Sequence, residues 1–463
     1  MLRSLELVDV GPSPRLKVDL GPRLNVFAGD NGLGKSFVLE VLWWAVTGVW
    51  TEMPAWPRPG EASAAEIALE IDRSLGDTFW GTRSAYPHNI KALGDTLQLH
   101  SRFEPSQQRW SEFPLHRTNP PLPALVLFAR ADGSFAVWDP ARNHWALRPP
   151  HGVIGPTEAV TDASFGILRR PPAYIFEPKD VWNGLEDHGK TLCNGLIRDW
   201  VSWQQKTQPV GHGESEFDLL RRTLATLSPH VEHPNEIIRP GMPVRLFIDD
   251  TRDFPTVDFG YGDVPVIHLS AGMRRILALA YLVVWSWREH VGASKLLRRP
   301  PVEQVVFLMD EVENHLHPAW QRRIIKALLT VLEGLSPGMK VQACLTTHAP
   351  LVLASLEPIF EPERDRFFVF DLDGERRTVA LEEVPWAKQG DATDWLTSPA
   401  FKLREARSVE AERVIEDAEA FMRGDEPVLY KTRAAIDTEL HRVLAGDDVF
   451  WPRWIGHSGE GHP

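Results

Sequence analysis

Apolar and polar positions alternate at the start of the chain, in Leu5-Glu6-Leu7 and again in Leu16-Lys17-Val18-Asp19-Leu20, with the Gly11-Pro12 pair between them. This pattern predicts two strands joined by a turn. An apolar run ending at Val26 and Phe27 predicts a strand. After a glycine-rich interval, Phe37 to Val46 predicts a buried helix with Gly48 near its end. Pro54 to Pro59 interrupts the regular structure, and strand alternation resumes in Ile67 to Ile71 and Leu97 to Leu99. Ala124 to Ala131 and Phe135 to Trp138 flank Asp132-Gly133, which signals a hairpin. Between about residues 150 and 240, loops mix with helical segments at Leu192 to Trp203 and Phe217 to Leu227. The pattern then becomes αβ again. Strands are predicted at Val264 to Leu269, Val305 to Met309 and Val341 to Leu345, and helices at Arg274 to Trp287 and Ala319 to Leu335. Phe367 to Phe370 and Thr378 to Leu381 read as a hairpin around Asp371-Leu372-Asp373-Gly374. Two amphipathic helices are expected in the tail, about Ser408 to Arg423 and Pro427 to Leu444, the second with Leu429, Ile436, Leu440 and Val443 on one face. The last dozen residues are expected to be disordered. No repeat of 20–50 residues and no heptad run is visible.

At 463 residues and 43% hydrophobic content, the chain can bury a sizeable core and should hold two or three structural units. The most apolar run, Ile276 to Trp285, is shorter than the roughly 18 residues of a membrane span and reads as a core helix. Arg3, Glu6 and Asp9 break any signal-peptide pattern at the start. Cys193 and Cys344 are the only cysteines and have no CxxC spacing, so a reducing, cytoplasmic setting is expected. The net charge of −13 does not announce a polyanion partner, although it leaves room for a local basic patch. The 18 tryptophans are expected to be mainly core or interface anchors.

Chemistry concentrates in a few segments. Gly29-Asp30-Asn31-Gly32-Leu33-Gly34-Lys35-Ser36-Phe37 lies between a predicted strand and a predicted helix, the context of a P-loop. Its glycines let the backbone turn tightly toward phosphate oxygens, and the amides at the helix start favour an anion. Lys35 supplies a cation for the β/γ-phosphates and Ser36 a hydroxyl for Mg²⁺. A nucleoside triphosphate with Mg²⁺ is therefore the expected ligand. Leu269-Ser270-Ala271-Gly272 places a hydroxyl and a glycine at another helix start, which alone could be an ordinary serine cap. Val305 to Met309 ends in Asp310-Glu311. The first carboxylate can position a metal-bound water, and the second can orient or deprotonate an attacking water. Glu313-Asn314-His315-Leu316-His317-Pro318 follows, and its His-x-His reads as an interface loop rather than a metal site. Thr346-Thr347-His348 ends the next buried strand with an imidazole that can bond a γ-phosphate.

Taken in order, these segments resemble the ABC-type ATPase heads. Gly29 to Ser36 is similar to their Walker A motif, Leu269 to Gly272 to the signature, and Val305 to Glu311 to Walker B. Asn314 to His317 resembles the D-loop and His348 the switch histidine. The resemblance covers about half the chain. Asp-Glu-x-Glu-Asn-x-Leu-His-Pro and Thr-Thr-His-x-Pro-Leu-Val are similar to the non-transporter branch, with RecF-like repair ATPases, overcoming-lysogenisation-defect proteins and ATPases of phage-defence operons such as Septu and PARIS. It implies an α/β fold, a P-loop NTPase with a mixed sheet, a large insertion and a helical tail. It also implies a head-to-tail homodimer in which Ser270, Ala271 and Gly272 face the nucleotide held by the partner. Asp30 departs from the family's usual Pro, Ala271-Gly272-Met273 departs from Gly-Gly-Gln, and no Q-loop glutamine is identified.

The expected divisions are a P-loop half at 1–53, an insertion at 54–262, a second head half at 263–395 and a tail at 396–463. The expected function is a dimeric Mg-ATP switch of a bacterial antiphage system, with Glu311 and His348 in catalysis, controlling a separately encoded nuclease or toxin. The alternative is a DNA-transaction ATPase that clamps duplex DNA, motivated by Arg298-Arg299 and Arg322-Arg323. No membrane partner is expected. Asp371-x-Asp373 superficially suits a nuclease but reads as a turn, and Asp249-Asp250, His457 and His462 offer less.

Overall fold

The computed structural model describes residues 1–61, 64–72, 90–93, 95–111, 124–143, 161–162, 166–167, 171–187, 189–206, 214–229, 236–373 and 378–457. It separates into two compact units, Met1–Lys388 and Gln389–Pro463.

The first unit is built on an eight-stranded sheet. Its spatial order is Tyr174–Phe176, Phe135–Trp138, Leu125–Ala129, Gln304–Met309, Lys340–Thr346, Leu24–Gly29, Asp365–Asp373 and Thr378–Glu383. The five strands from Leu125–Ala129 to Asp365–Asp373 run parallel, and antiparallel strands finish both edges. Parallel strands are covered on both faces, which is why Val305–Met309 is apolar without alternation and every residue of Leu24–Gly29 is buried. A second, antiparallel sheet carries Arg15–Asp19, Leu2–Val8, Glu66–Asp72, Thr96–Glu104 and Ile90–Leu93 in that order, with Arg109–Trp110 paired beside Thr96–Glu104.

Lys35–Thr47 forms a helix that is apolar nearly all round because both sheets cover it. One hydrophobic core joins Trp43 and Leu42 of this helix to Leu5 and Leu69 of the antiparallel sheet and to Val306 and Phe370 of the parallel one. The helix start is thereby fixed at the carboxyl ends of the parallel strands, where α/β sheets bind ligands.

Several predicted elements differ in detail. Asp263–Pro265 is a short strand that gives way to a 3₁₀ turn at Val266–His268, since Pro265 has no amide for a ladder. The single helix predicted over Ala319 to Leu335 is two, Pro318–Gln321 and Ile324–Glu333, with Arg323 non-helical between them. The helix expected from Leu192 begins at Leu196, because Lys190–Cys193 is a strand and Gly195 turns the chain. Asp371 and Asp373 are not in a turn: both lie on Asp365–Asp373, paired with Ala380 and Thr378.

The second unit contains helices Ala392–Thr397, Val409–Arg423, Arg433–Val443 and Trp451–Gly456. Its core packs Val414, Ile415 and Ala418 against Ile436, Leu440, Phe450 and Trp454. The buried Asp417 carboxylate accepts the amides of Val428, Leu429 and Tyr430, which fixes the loop between two helices. Leu429 therefore stands in that loop, 54% exposed, rather than on the apolar helix face. The helix Trp451–Gly456 corrects the expectation of disorder at this end, and residues 458–463 lie outside the described residues.

Candidate functional site

Three loops meet at the carboxyl ends of neighbouring parallel strands: residues 29–36 after Leu24–Gly29, 310–317 after Gln304–Met309, and 347–349 after Lys340–Thr346. Gly29, Gly32 and Gly34 all have positive φ, at 122°, 78° and 100°. A β-carbon on Gly29 would lie 2.3 Å from the Phe370 carbonyl oxygen, so close strand packing forbids any side chain there. At Gly32 nothing lies within 4 Å, and conformation alone selects glycine. Gly34 is the N-cap of the helix and no side chain caps it, so the first amides remain available to an anion.

Lys35 is only 4% exposed. Its ammonium donates to the carbonyls of Gly29 (2.9 Å) and Asp30 (2.6 Å). Burial lowers its pKa to about 8, against the opposing influence of Asp310, Asp30, Glu311 and Glu313. A desolvated cation beneath uncapped amides fits a polyphosphate. Asp30, Asn31 and Ser36 are exposed, and Leu33 is partly buried. The Phe37 side chain packs against the core and against Gly11, where a β-carbon would come within 2.4 Å of its ring; only its backbone can serve a phosphate.

Asp310 is buried, and its Oδ1 accepts the Thr346 hydroxyl at 2.6 Å. The Thr346 oxygen in turn accepts the Glu311 amide at 2.7 Å. Glu311 has φ of 46°, unusual for a side-chain-bearing residue. Its carboxylate accepts no hydrogen bond among the described residues. His348 is half-buried, and its pKa is lowered by burial and then by Lys35, while Glu313, Glu311 and Asp310 oppose the shift.

Ser270 caps the helix Ala271–Leu296, its hydroxyl accepting the Met273 amide at 3.3 Å. Ser270 and Ala271 are exposed, and no hydrogen bond joins them to the P-loop among the described residues. Gly272 is buried against its own chain: a β-carbon would lie 2.3 Å from the His315 carbonyl oxygen. His317 Nδ1 accepts the Ala319 amide as a helix cap. No group of three His, Cys, Asp or Glu able to hold a metal occurs among the described residues. A Mg²⁺ ion here would need phosphate oxygens beside Ser36 and Asp310.

Sequence reasoning missed Arg275. This buried side chain donates to the carbonyls of Ala131 (3.0 Å), Asp310 (3.1 Å) and Glu311 (3.2 Å). Its desolvation lowers its pKa, which Glu311 and Asp310 oppose. It also missed Arg130, at the end of Leu125–Ala129, which bonds Glu40 of the P-loop helix at 3.0 Å. Asn314 reaches the same turn, donating to the Ala131 carbonyl at 2.8 Å. No motif spacing announces these contacts; only the strand order brings them together.

Residues 248–354, spanning the 270–275 helix start, Asp310-Glu311 and His348, match a family model described as an AAA domain, putative AbiEii toxin, Type IV TA system. Over that segment the chain is similar to AAA-type ATPase domains. A 94-residue segment of the chain is 32% identical to the "Retron Vc95 probable ATPase" of Vibrio cholerae serotype O1 biovar El Tor. That match covers 20% of this chain and 16% of the relative, about a sixth of its length. Among solved structures, the SMC head domain from Thermotoga maritima is similar over 83% of this chain and 98% of that one, at 12% identity and a TM-score of 0.35. An Smc head from Pyrococcus furiosus bound to the C-terminal domain of ScpA is similar at 11% identity and a TM-score of 0.40, over 83% of this chain and 96% of that one. The recombination mediator RecF is similar at 12% identity and a TM-score of 0.33, over 80% and 95%. At these scores they are likenesses without functional weight. No helix among the described residues is long and apolar enough to cross a membrane.

Proposed function

We propose that the protein binds and hydrolyses Mg-ATP to ADP and phosphate, and that it works as a head-to-tail homodimer. The observation that carries this reading is the buried Lys35 ammonium under an uncapped helix start. In this reading the P-loop amides and Lys35 hold the phosphates. Ser36 and Asp310 hold Mg²⁺, which when bound neutralises charge on the β/γ-phosphates. Glu311 accepts the proton of the attacking water, and His348 hydrogen-bonds the terminal phosphate. Ser270, Ala271 and Gly272 cap the nucleotide of the partner subunit; the exposure of Ser270 and Ala271 at a helix start supports that assignment.

Glu311→Gln should keep ATP affinity and lower turnover about 10²–10⁴-fold. Lys35→Ala should lose ATP binding, and Ser270→Arg should bind ATP without hydrolysing it. Mixing these last two tests the dimer. Head-to-tail pairing in an isolated heterodimer leaves one site with an intact P-loop and an intact opposing signature, so two inactive variants should regain hydrolysis together. No recovery in that heterodimer refutes the shared site.

We further propose that the cycle controls a separately encoded effector, a nuclease or toxin, in antiphage defence in the cytoplasm. The segment shared with a protein named as a retron's probable ATPase supports this. The exposed Arg298, Arg299 and Arg322 favour a second reading, a DNA-transaction ATPase. Salt-sensitive binding of duplex DNA by the purified protein would decide for it. Copurification with an effector that survives high salt would decide for the first.

A further inference from the structure

Glu313 lies three residues beyond Asp310, and the proposed reaction gives it no role. Its carboxylate grips the adjacent loop with both oxygens. Oε2 accepts the Thr347 hydroxyl at 2.8 Å, and Oε1 accepts the His348 amide at 2.5 Å. Thr346 and Thr347 are wholly buried, so neither hydroxyl can turn to solvent for a substitute partner. The Thr347 oxygen accepts the Ala349 amide as well, at 3.1 Å, which carries the restraint past the histidine on its other side.

The same two loops are already stitched one step earlier, where Asp310 holds Thr346 and Thr346 holds the Glu311 amide. Carboxylate and threonine thus alternate twice across the gap between neighbouring strands. The first pair fixes the residues proposed to hold metal and activate water. The second fixes the peptide that carries the imidazole. Charge-assisted bonds from buried donors are the strong kind and are costly to leave unmade.

We propose that Glu313 is the positioning residue of the switch histidine, clamping the backbone at Thr347 and His348 so that the imidazole and Glu311 keep a fixed relation. This rests on the ATPase reading above. Glu313 acts through His348 rather than on the nucleotide. Its loss should therefore lower kcat and spare nucleotide affinity, which the P-loop and Lys35 supply.

The test is a double-mutant cycle in the full chain, with ATP turnover and ATP affinity measured separately for wild type, Glu313→Ala, His348→Ala and the pair. Glu313→Ala should lower kcat at least about tenfold while ATP affinity stays within about threefold, and the pair should be no slower than His348→Ala alone. Glu313→Gln keeps an acceptor for the His348 amide but not one for the buried Thr347 hydroxyl, so it should recover part of the lost kcat. Additive losses in the cycle, or a Gln variant as slow as Ala, would overturn the positioning role. Should Glu313→Ala not fold, Thr347→Val removes one arm of the clamp alone, and the same cycle with His348→Ala applies. Absence of turnover in wild type, by contrast, would sink the ATPase reading itself.

Discussion

Lys35 gives the site a measurable pH signature. Lys35 is 4% exposed, its ammonium bonded among the described residues to the carbonyls of Gly29 and Asp30, and burial brings its pKa from 10.5 to about 8. For a base with a lowered pKa, the nucleotide-free fold sheds the proton above about pH 8, while the unfolded chain keeps it until about 10.5. Phosphates that pair with the ammonium restore its proton, so ATP selects the protonated form. At pH 7 about nine-tenths of the free protein is already protonated, and at pH 9.5 about 3% is. ATP affinity should accordingly fall about 30-fold between these pH values, or about 2 kcal/mol. Over the same interval binding should change from almost no proton uptake to nearly one proton per nucleotide. Folding stability moves the other way, because the unfolded state then binds more protons. The stability of wild type relative to Lys35→Met should rise about 2 kcal/mol from pH 7 to 9.5. Isothermal titration with a non-hydrolysable ATP analogue in two buffers of different ionisation enthalpy reads the first effect, and denaturant unfolding reads the second. Affinity that stays flat from pH 7 to 9.5, without proton uptake, would refute the desolvated-cation account.

Three further outcomes are expected. Gly272→Ala puts a β-carbon 2.3 Å from the His315 carbonyl oxygen, a backbone atom that cannot swing aside, so it should cost about 1–3 kcal/mol in denaturant unfolding and abolish turnover. Arg275→Met strands the Asp310 carbonyl and removes one of the donors to those of Ala131 and Glu311, which Asn314 also serves; it should lower stability by about 1–3 kcal/mol and slow hydrolysis more than it weakens ATP binding. Trp454→Ala removes a side chain that is 1% exposed, lies under Arg433 and donates to Asp437; hydrogen exchange across residues 409–456 should report a loss of about 3–5 kcal/mol, with ATP turnover unchanged.

What the sequence disclosed followed from local rules. The parallel strands were legible because burial on both faces leaves an unbroken apolar run in Val305–Met309. The P-loop was legible because positive φ at Gly29, Gly32 and Gly34 admits little besides glycine. Contacts across the strand order were not legible. Helical periodicity reads an arginine as solvent-facing, whereas Arg275 is buried because three carbonyls from two distant loops converge on it. Gln342 bonds both the amide and the carbonyl of Leu2, a pairing that no local window contains. The spacing of Asp371 and Asp373 suggested a turn, but pairing with Ala380 and Thr378 extends the strand through both. The Leu429 misplacement has a similar cause, since Asp417 captures the preceding loop's amides and delays the helix to Arg433.

The backbone at Glu311 shows how the pieces depend on one another. A left-handed conformation in a residue with a side chain costs on the order of 1–3 kcal/mol and persists only where neighbours over-determine it. Here its amide is held by Thr346 of the next strand, and its carbonyl by Arg275 of the helix Ala271–Leu296 and by the Asn314 amide at 2.9 Å. Gly272, three residues before Arg275, lies against the His315 carbonyl in the same loop. The helix Ala271–Leu296 therefore meets the loop of the proposed base at two points, within one subunit and without help from the P-loop. Under the proposed head-to-tail pairing, Ser270 on that helix would face the other subunit's phosphate. A displacement of the helix start at one nucleotide would then pull on the peptide that aims Glu311 at the other. Such coupling needs no additional element, only the bonds that already keep Glu311 in its strained conformation.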